Sequence, residues 1–354
     1  MPVAKPNSPL VADFDILLNN SPLSVEQESH AIALTVDKDL NLPSMFTLEF
    51  TGSATRTQGM EWMDKFQLGD AVTIKMGYVD GLATVMNGEI TALEPEFTSD
   101  RPPSLTVRGY DRRHRLQRGS KTRTFIKKKD SDIASQIAGE AGLEAKVTDS
   151  KVIHEYILQA NQTDLEFLQQ RARQINDEVF VEDKTLFFRP VNNTGGQTLN
   201  LSLEQDLLEF YPRMSTVQIP SQVTVQGWNH KDKKAIVAKA AKDSVTTKMG
   251  GKKSGADVSQ SAFGTAANFI SDRPVMSQAE ADQLAQGNLN HGVLGFIAGE
   301  GVCWGRTDLE PGKVIRLNDL GKNFSGLYYV TNVTHRYRSD RGYYTYFTVH
   351  KNSI

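Results

Sequence analysis

From Asp13 onward, apolar and polar residues alternate with a period of two over long stretches of the chain. Ile32, Leu34 and Val36 alternate with polar neighbours, and so does Met45–Phe50, with the turn formers Asn41–Leu42–Pro43–Ser44 between them. Val72–Met76, Thr84–Met86, Glu89–Glu94 and Ser104–Gly109 continue the pattern, separated by turns at Tyr78–Gly81, Asn87–Gly88 and Thr98–Pro103. Short strands at this spacing predict an antiparallel barrel or sandwich. Residues 1–10 are rich in proline and are expected to be irregular until docked.

The pattern changes near Asp111. Asp130 or Ser131 can cap a helix over Ile133, Ile137 and Ala141, which Gly142 would end. Thr163 and Glu166 form a T-x-x-E capping box ahead of Leu165, Leu168, Ala172 and Ile175, which share one helical face. Glu178–Val181 and Thr185–Arg189 then read as a hairpin across Asp183–Lys184. After the Asn192–Gly196 turn the β pattern returns over Val217–Trp228. Residues 231–275 break it with eight lysines between Lys231 and Lys253 and few large apolar groups, chiefly Ile236, Phe263, Phe269 and Ile270. Such a segment is expected to be exposed, partly mobile and ordered by a neighbour. Ser277 and Glu280 cap a short helix over Ser277–Leu289, and Lys313–Leu317, Gly326–Tyr337 and Tyr343–His350 read as strands.

Three stretches repeat. Leu68–Ile74 is echoed by Pro311–Leu317, Asn87–Leu93 by Ser325–Val330, and Leu105–Asp111 by Val223–Asn229. The echoes fit an internal duplication; the reuse of turn chemistry in small barrels fits them too. The expected fold is mainly β with an α/β insert: two similar antiparallel β-barrels, the inserted α/β domain and a Lys-rich insertion. The expected parts are a first barrel at 1–110, the α/β domain at 111–190, a second barrel at 191–230 and 290–354, and the partly mobile insertion at 231–289.

The 354 residues carry a net charge of −2, which argues against a wholesale nucleic-acid condenser. The lone Cys303 excludes an intramolecular disulfide framework and a cysteine-based zinc site. No apolar run reaches the ~18–20 residues of a membrane span, and no signal-peptide core follows the N-terminus. The seven histidines are scattered without an HExxH pattern, and there is no Walker loop or GxSxG elbow. His335 and His350 can approach across a hairpin, although paired histidines in an aromatic β region are usually structural. Cys303 beside Trp304 reads as a packed thiol. No catalytic, cofactor or metal residues are therefore assigned. The clearest charge feature is the basic run Arg108, Arg112, Arg113, Arg115, Arg118, Lys121, Arg123, Lys127, Lys128 and Lys129, set against the single acid Asp111. It reads either as a surface for an anionic partner or polymer or as a solvated connector between domains.

Val107-Arg108-Gly109-Tyr110-Asp111, Arg115-Leu116-Gln117-Arg118-Gly119 and Thr122-Arg123-Thr124-Phe125 resemble the phage late control gene D family, a pattern shared with the N-terminal part of VgrG proteins. Asn161–Ala172 is similar to that family's D-x-x-F-L-x-x-x-A helix, and Pro311-Gly312 with Phe324–Val330 and Val333–His335 to its last barrel. The resemblance implies a non-enzymatic baseplate hub of a contractile tail or injection system. This would be a homotrimeric ring adapting a six-fold inner tube to a three-fold central spike, assembled in the cytoplasm. Its implied partners are a separate spike protein, an inner tube or tube-initiator protein and baseplate wedge proteins. No cofactor or membrane is implied, and nucleic acid only in transit through a lumen lined partly by the basic run. The competing readings are a tail-associated peptidoglycan hydrolase and a nucleic-acid-binding module using residues 108–129.

Overall fold

The computed structural model describes residues 11–52, 63–79, 81–195, 198–272 and 274–354. The expected irregular segment 1–10, Asp80 of the Tyr78–Gly81 turn and Gly196 of the Asn192–Gly196 turn lie outside the described residues. The first stretch forms strands β1 (Ala12–Leu18), β2 (Ser21–Pro22), β3 (Ala31–Asp39), β4 (Met45–Thr51), β5 (Ala71–Tyr78), β6 (Gly81–Glu96) and β7 (Ser104–Tyr110), with a short helix α1 (Val25–Ser29). They run antiparallel in the order β3-β4-β7-β6-β5-β1. The alternation seen in the sequence sends Leu34, Val36, Phe46, Leu48, Phe50, Val72, Ile74 and Val107 into one core.

The middle stretch forms β8 (Lys121–Lys128), α2 (Asp130–Glu140), β9 (Glu144–Val147), β10 (His154–Gln162), α3 (Asp164–Gln174), β11 (Asp177–Glu182) and β12 (Thr185–Pro190). The T-x-x-E box works as read: Thr163 Oγ1 accepts from Glu166 N at 3.2 Å, and Thr163 N donates to Glu166 Oε2 at 2.9 Å. The other cap is shifted. Lys129 is the N-cap of α2, its backbone N–H donating to Asp132, while Asp130 is buried and used elsewhere. Ile133, Ile137, Leu165, Phe167, Leu168, Leu186 and Phe188 make a core of their own.

The last stretch forms β13 (Leu199–Ser202), β14 (Leu207–Met214), β15 (Gln222–Asn229), β16 (Lys234–Ala241), α4 (Gly255–Phe263), β17 (Ala267–Ile270), α5 (Gln278–Leu294), β18 (Ile297–Trp304), β19 (Val314–Asn318), α6 (Gly321–Phe324), β20 (Gly326–Arg338) and β21 (Gly342–Lys351). The Lys-rich segment differs from its expectation. It supplies β16, α4 and β17, and β16 and β17 flank β15 in a separate three-stranded sheet. Burial falls largely to alanine: Ala238, Ala240 and Ala256 pack beneath α5 together with Ile236, whereas Phe263 and Phe269 stay exposed. The alternation of Lys234, Ile236, Ala238 and Ala240 is that of a strand, but alanine carries little β propensity.

The long β20 joins the two halves. Its residues 326–329 pair with β19, and after a bulge at Thr331 its residues 332–338 pair with β3. One thirteen-stranded sheet therefore runs through both halves. No described sheet closes on itself as a hydrogen-bonded barrel. β1 faces the β20–β21 hairpin through side chains, with the Phe14 and Tyr337 rings 4.8 Å apart.

The halves nevertheless repeat one plan. In sequence order, strands β3, β4, β5, β6, β7 and strands β14, β18, β19, β20, β21 both lie first-second-fifth-fourth-third in the sheet. Gly69 N donates to Ile90 O and Ile90 N to Asp70 O, while Gly312 N donates to Val330 O and Val330 N to Lys313 O, all at 2.8–2.9 Å. Each glycine sits at positive φ, +94° and +78°. Bulges also match, at Thr91 and Thr331 and again at Ile32 and Leu208. The first echo of the sequence is thus a structural equivalence. The second is misaligned, because Gly88 pairs with Val72 whereas Gly326 pairs with Leu317, two rungs from the equivalent site, Tyr328 opposite Ile315. The third fails: β7 corresponds to β21, and β15 belongs to another sheet.

A side chain at positive φ is strained whatever space surrounds it. Gly69→Ala and Gly312→Ala should each lower stability by about 1–2 kcal/mol. The Gly312 change should be the larger, since its Cβ would lie 3.2 Å from Arg189 Nη2 while that of Gly69 meets nothing within 4 Å. Urea denaturation of both variants checks the size and the order.

Candidate functional site

The basic run begins in β7 and ends at α2, and it does not form a bare cationic surface. Arg113 is buried, donating to Asp111 Oδ2 at 2.9 Å and to Ser44 Oγ at 2.8 Å, and Asp111 in turn accepts from Ser44 N. Arg112, His114 and Arg115 converge on Glu89 of β6, and Arg112 also reaches Asp183 in the β11–β12 turn. Burial works against ionisation of Glu89, but its hydrogen bonds with Arg115 and His114 outweigh it and hold the carboxyl below its usual range. Lys121 and Arg123 meet Asp164 at 2.6 and 2.8 Å, and Arg123 also meets Glu140. Arg108 pairs with Glu94, Lys128 hydrogen-bonds Gln136, and Lys129 pairs with Asp149. Of the ten side chains, only those of Arg118 and Lys127 form no hydrogen bond or ion pair among the described residues, and both residues are exposed. The acids that meet the run lie up to 71 residues away in sequence, so charge counted along the chain could not reveal them.

A second polar cluster joins the α/β stretch to α5. His154 of β10 lies with Nε2 3.2 Å from Asp130 Oδ2 and Nδ1 3.0 Å from Glu280 Oε1. Arg171 of α3 donates from Nε to Asp130 Oδ1 at 2.6 Å. Ser277 Oγ caps α5, and Glu280 Oε2 accepts from Met276 N at 2.9 Å, so Glu280 is held by its own helix start. Burial disfavours charge on His154, Asp130 and Glu280 alike. Their mutual hydrogen bonds prevail, raising the His154 pKa and lowering those of both acids. His154 thus bridges two carboxylates, one on either side of its ring. Sequence reading missed it because Asp130 and Glu280 both look like ordinary helix-start acids.

A cavity of about 620 Å³ opens where α3, β11, α5, β20 and β21 meet, lined by residues including Asp39, Arg173, Asp177, Glu178, His291 and His350. Burial first, then repulsion from Asp130 and Glu178, pushes Asp177 up to about 7. Glu178 is occupied, accepting from Arg189 Nε at 2.7 Å and from the Tyr329 hydroxyl. The remaining reactive groups are quiet. Burial drives the Cys303 thiol up to about 12 and His335 down to about 3. His335 and His350 do not meet: they lie opposite Thr345 and Tyr329 in their ladders. Among the described residues no three His, Cys, Asp or Glu side chains are placed to hold a metal ion, and no helix is long and apolar enough to cross a membrane. The polar groups of this molecule chiefly lock its parts together.

Losing one partner of a buried ion pair leaves an uncompensated charge, so Arg113→Met should cost about 3–5 kcal/mol. Arg118→Ala and Lys127→Ala should stay within about 0.5 kcal/mol of the parent; thermal unfolding measures all three. The raised pKa of His154 makes its contribution complete below the ordinary histidine value and progressively lost as pH rises through the folded-state value. The stability gap between the parent and His154→Gln should therefore shrink from pH 6 to pH 9. A gap that widens with pH would contradict a raised pKa at His154.

Solved structures share this fold across nearly the whole chain. A 43 kDa tail protein of prophage MuSo2 from Shewanella oneidensis is 14% identical, with 96% of this chain and 98% of that one covered and a TM-score of 0.69. A tail protein from Neisseria meningitidis MC58 is 13% identical, with 96% and 97% covered and a TM-score of 0.70. A component of the E. coli type VI secretion system, described as similar to T4 bacteriophage tail proteins gp27 and gp5, is 15% identical, with 91% and 74% covered and a TM-score of 0.59. The fold is thus one used by phage tail and type VI secretion proteins. No curated protein matches the chain by sequence. The family profile that does match is a different one from the late control gene D family suggested by the sequence motifs. It spans residues 9–339, and the chain belongs to the Alg8 N-terminal domain family.

Proposed function

We propose that this chain is a structural baseplate hub of a contractile tail or injection system, related in role to late control gene D proteins, and that it acts without catalysis. The observation that carries this reading is the repeated five-strand plan, first-second-fifth-fourth-third, present twice in one chain. Three copies present six such units, which matches a six-fold tube on one side while keeping three-fold symmetry for a spike on the other. In this reading each five-strand unit is a barrel-like module, open in the single chain. Residues 111–190 form one inserted unit, and the insertion at 231–289 belongs to the second module. A separate spike, an inner tube or tube-initiator protein and wedge proteins are the partners, and the particle forms in the cytoplasm. Of the basic run, Arg118 and Lys127 remain free to face a lumen or partner. The likeness to tail and type VI proteins supports the reading at the level of fold.

Electron cryomicroscopy of the assembled particle tests it. Three copies should lie at the centre of the baseplate, with the two five-strand units of each copy alternating around the axis. Six copies per ring would overturn the assignment, as would particles that assemble normally when the chain is deleted.

A further inference from the structure

The β20–β3 junction has an unfilled counterpart. In the second repeat, β20 leaves β19 at the Thr331 bulge, and its residues 332–338 take β3 as their new neighbour. In the first repeat, β6 leaves β5 at Glu89 and bulges at Thr91. Its residues 92–96 then hold β7 on one side and, among the described residues, no strand on the other. The counterpart of β3 is β14, which from Glu209 to Met214 pairs, among the described residues, only with β18. One joint of the repeat is made inside the chain, and the two halves of the next joint are exposed at its ends.

We propose that these halves join between copies. β6 of one molecule pairs antiparallel with β14 of the next, as β20 pairs with β3 within the molecule. This rests on the ring reading above and adds the surface and register that would build it. The matching bulges carry the internal register across without adjustment. Thr334 opposite Asp37 becomes Glu94 opposite Arg213, and Arg336 opposite Thr35 becomes Glu96 opposite Tyr211. On the other face, Tyr337 opposite Leu34 becomes Phe97 opposite Phe210.

The side chains suit these places. Arg213 is exposed and makes no ion pair among the described residues, so Glu94, until now shared only with Arg108, would give it a partner. Phe97 is 60% exposed, an apolar ring at the position where the internal joint buries Tyr337 against the first core. Pro95 and Pro212 fall opposite each other, on the rung of His335 and Val36, so the amides they lack are confined to one rung. Proline and charge on both edges discourage promiscuous pairing while leaving this register open. The contact is head-to-tail, and it ends only by closing a ring.

Cysteine cross-linking of the full chain tests the joint. Opposed residues of an antiparallel pair lie about 4.5–5.5 Å apart at Cα, within disulfide range, and the buried Cys303 does not compete. Mild oxidation of mixed Glu94→Cys and Arg213→Cys proteins should give covalent dimers holding one of each. Either protein alone should give none, and the double variant should give a ladder ending at the ring size. Phe97→Asp should weaken association roughly 30-fold or more in native mass spectrometry with an unchanged melting temperature. Absence of mixed dimers overturns the joint, as do dimers formed by either single variant. An oligomer without the mixed cross-link removes this joint but leaves the hub reading, which the particle map decides separately.

Discussion

The ladder between Asn332–Arg338 and Ala33–Asp39 joins residues almost 300 positions apart and makes one sheet of two halves. It sets Tyr337 and Tyr343 against the core of the first half and bounds β19 at its start, Val314. The Thr331 bulge makes this possible. One extra residue turns the strand so that a single edge serves two neighbours in succession. Side chains reinforce the seam, with Asn332 and Thr334 both donating to Asp37 and Lys38 paired with Glu310. Remove the ladder and each half has an open edge facing its own core.

Charge performs the same joining work for the inserted α/β unit. Glu89 on β6 gathers Arg112, His114 and Arg115, and Asp111 and Ser44 hold Arg113. On the far side, His154 sits between Asp130 and Glu280. Buried ionic contacts of this kind contribute little net stability against an apolar alternative, but they admit one geometry and penalise others strongly. They hold the insert in a defined orientation to the two sheets.

Local chemistry made much of the fold legible. Strands β4 and β7 alternate throughout and β5 over most of its length, the Thr163 box places α3 to the residue, and Asp183–Lys184 turns the β11–β12 hairpin. The Pro311-Gly312 echo worked because a positive-φ glycine is a conformational demand that survives when side chains diverge. The Leu105–Asp111 echo failed because alternating residues around a glycine specify a strand without specifying its neighbours. The Lys-rich segment misled for a related reason: its buried face is alanine, which looks unpromising until a helix such as α5 lies close enough to cover it. The basic run misled more deeply. Its counter-charges come from β6, α2, α3 and the β11–β12 turn, and no one-dimensional count brings them together.

The long β20–β3 ladder also imposes an order of events during synthesis. β3 leaves the ribosome almost 300 residues before the strand that will cover it. At about 5–20 residues per second the wait is roughly 15–60 s. Throughout it the edge of β3 is open while β4 to β7 are free to form. A joint of such high contact order makes closure late and slow. A nascent chain in that state offers the kind of edge that another nascent chain can fill, so crowding on one message favours exchange of the hairpin Gly326–Lys351 between neighbours. Production of this protein should therefore be sensitive to translation rate and chaperone supply well before it is sensitive to the stability of the finished fold.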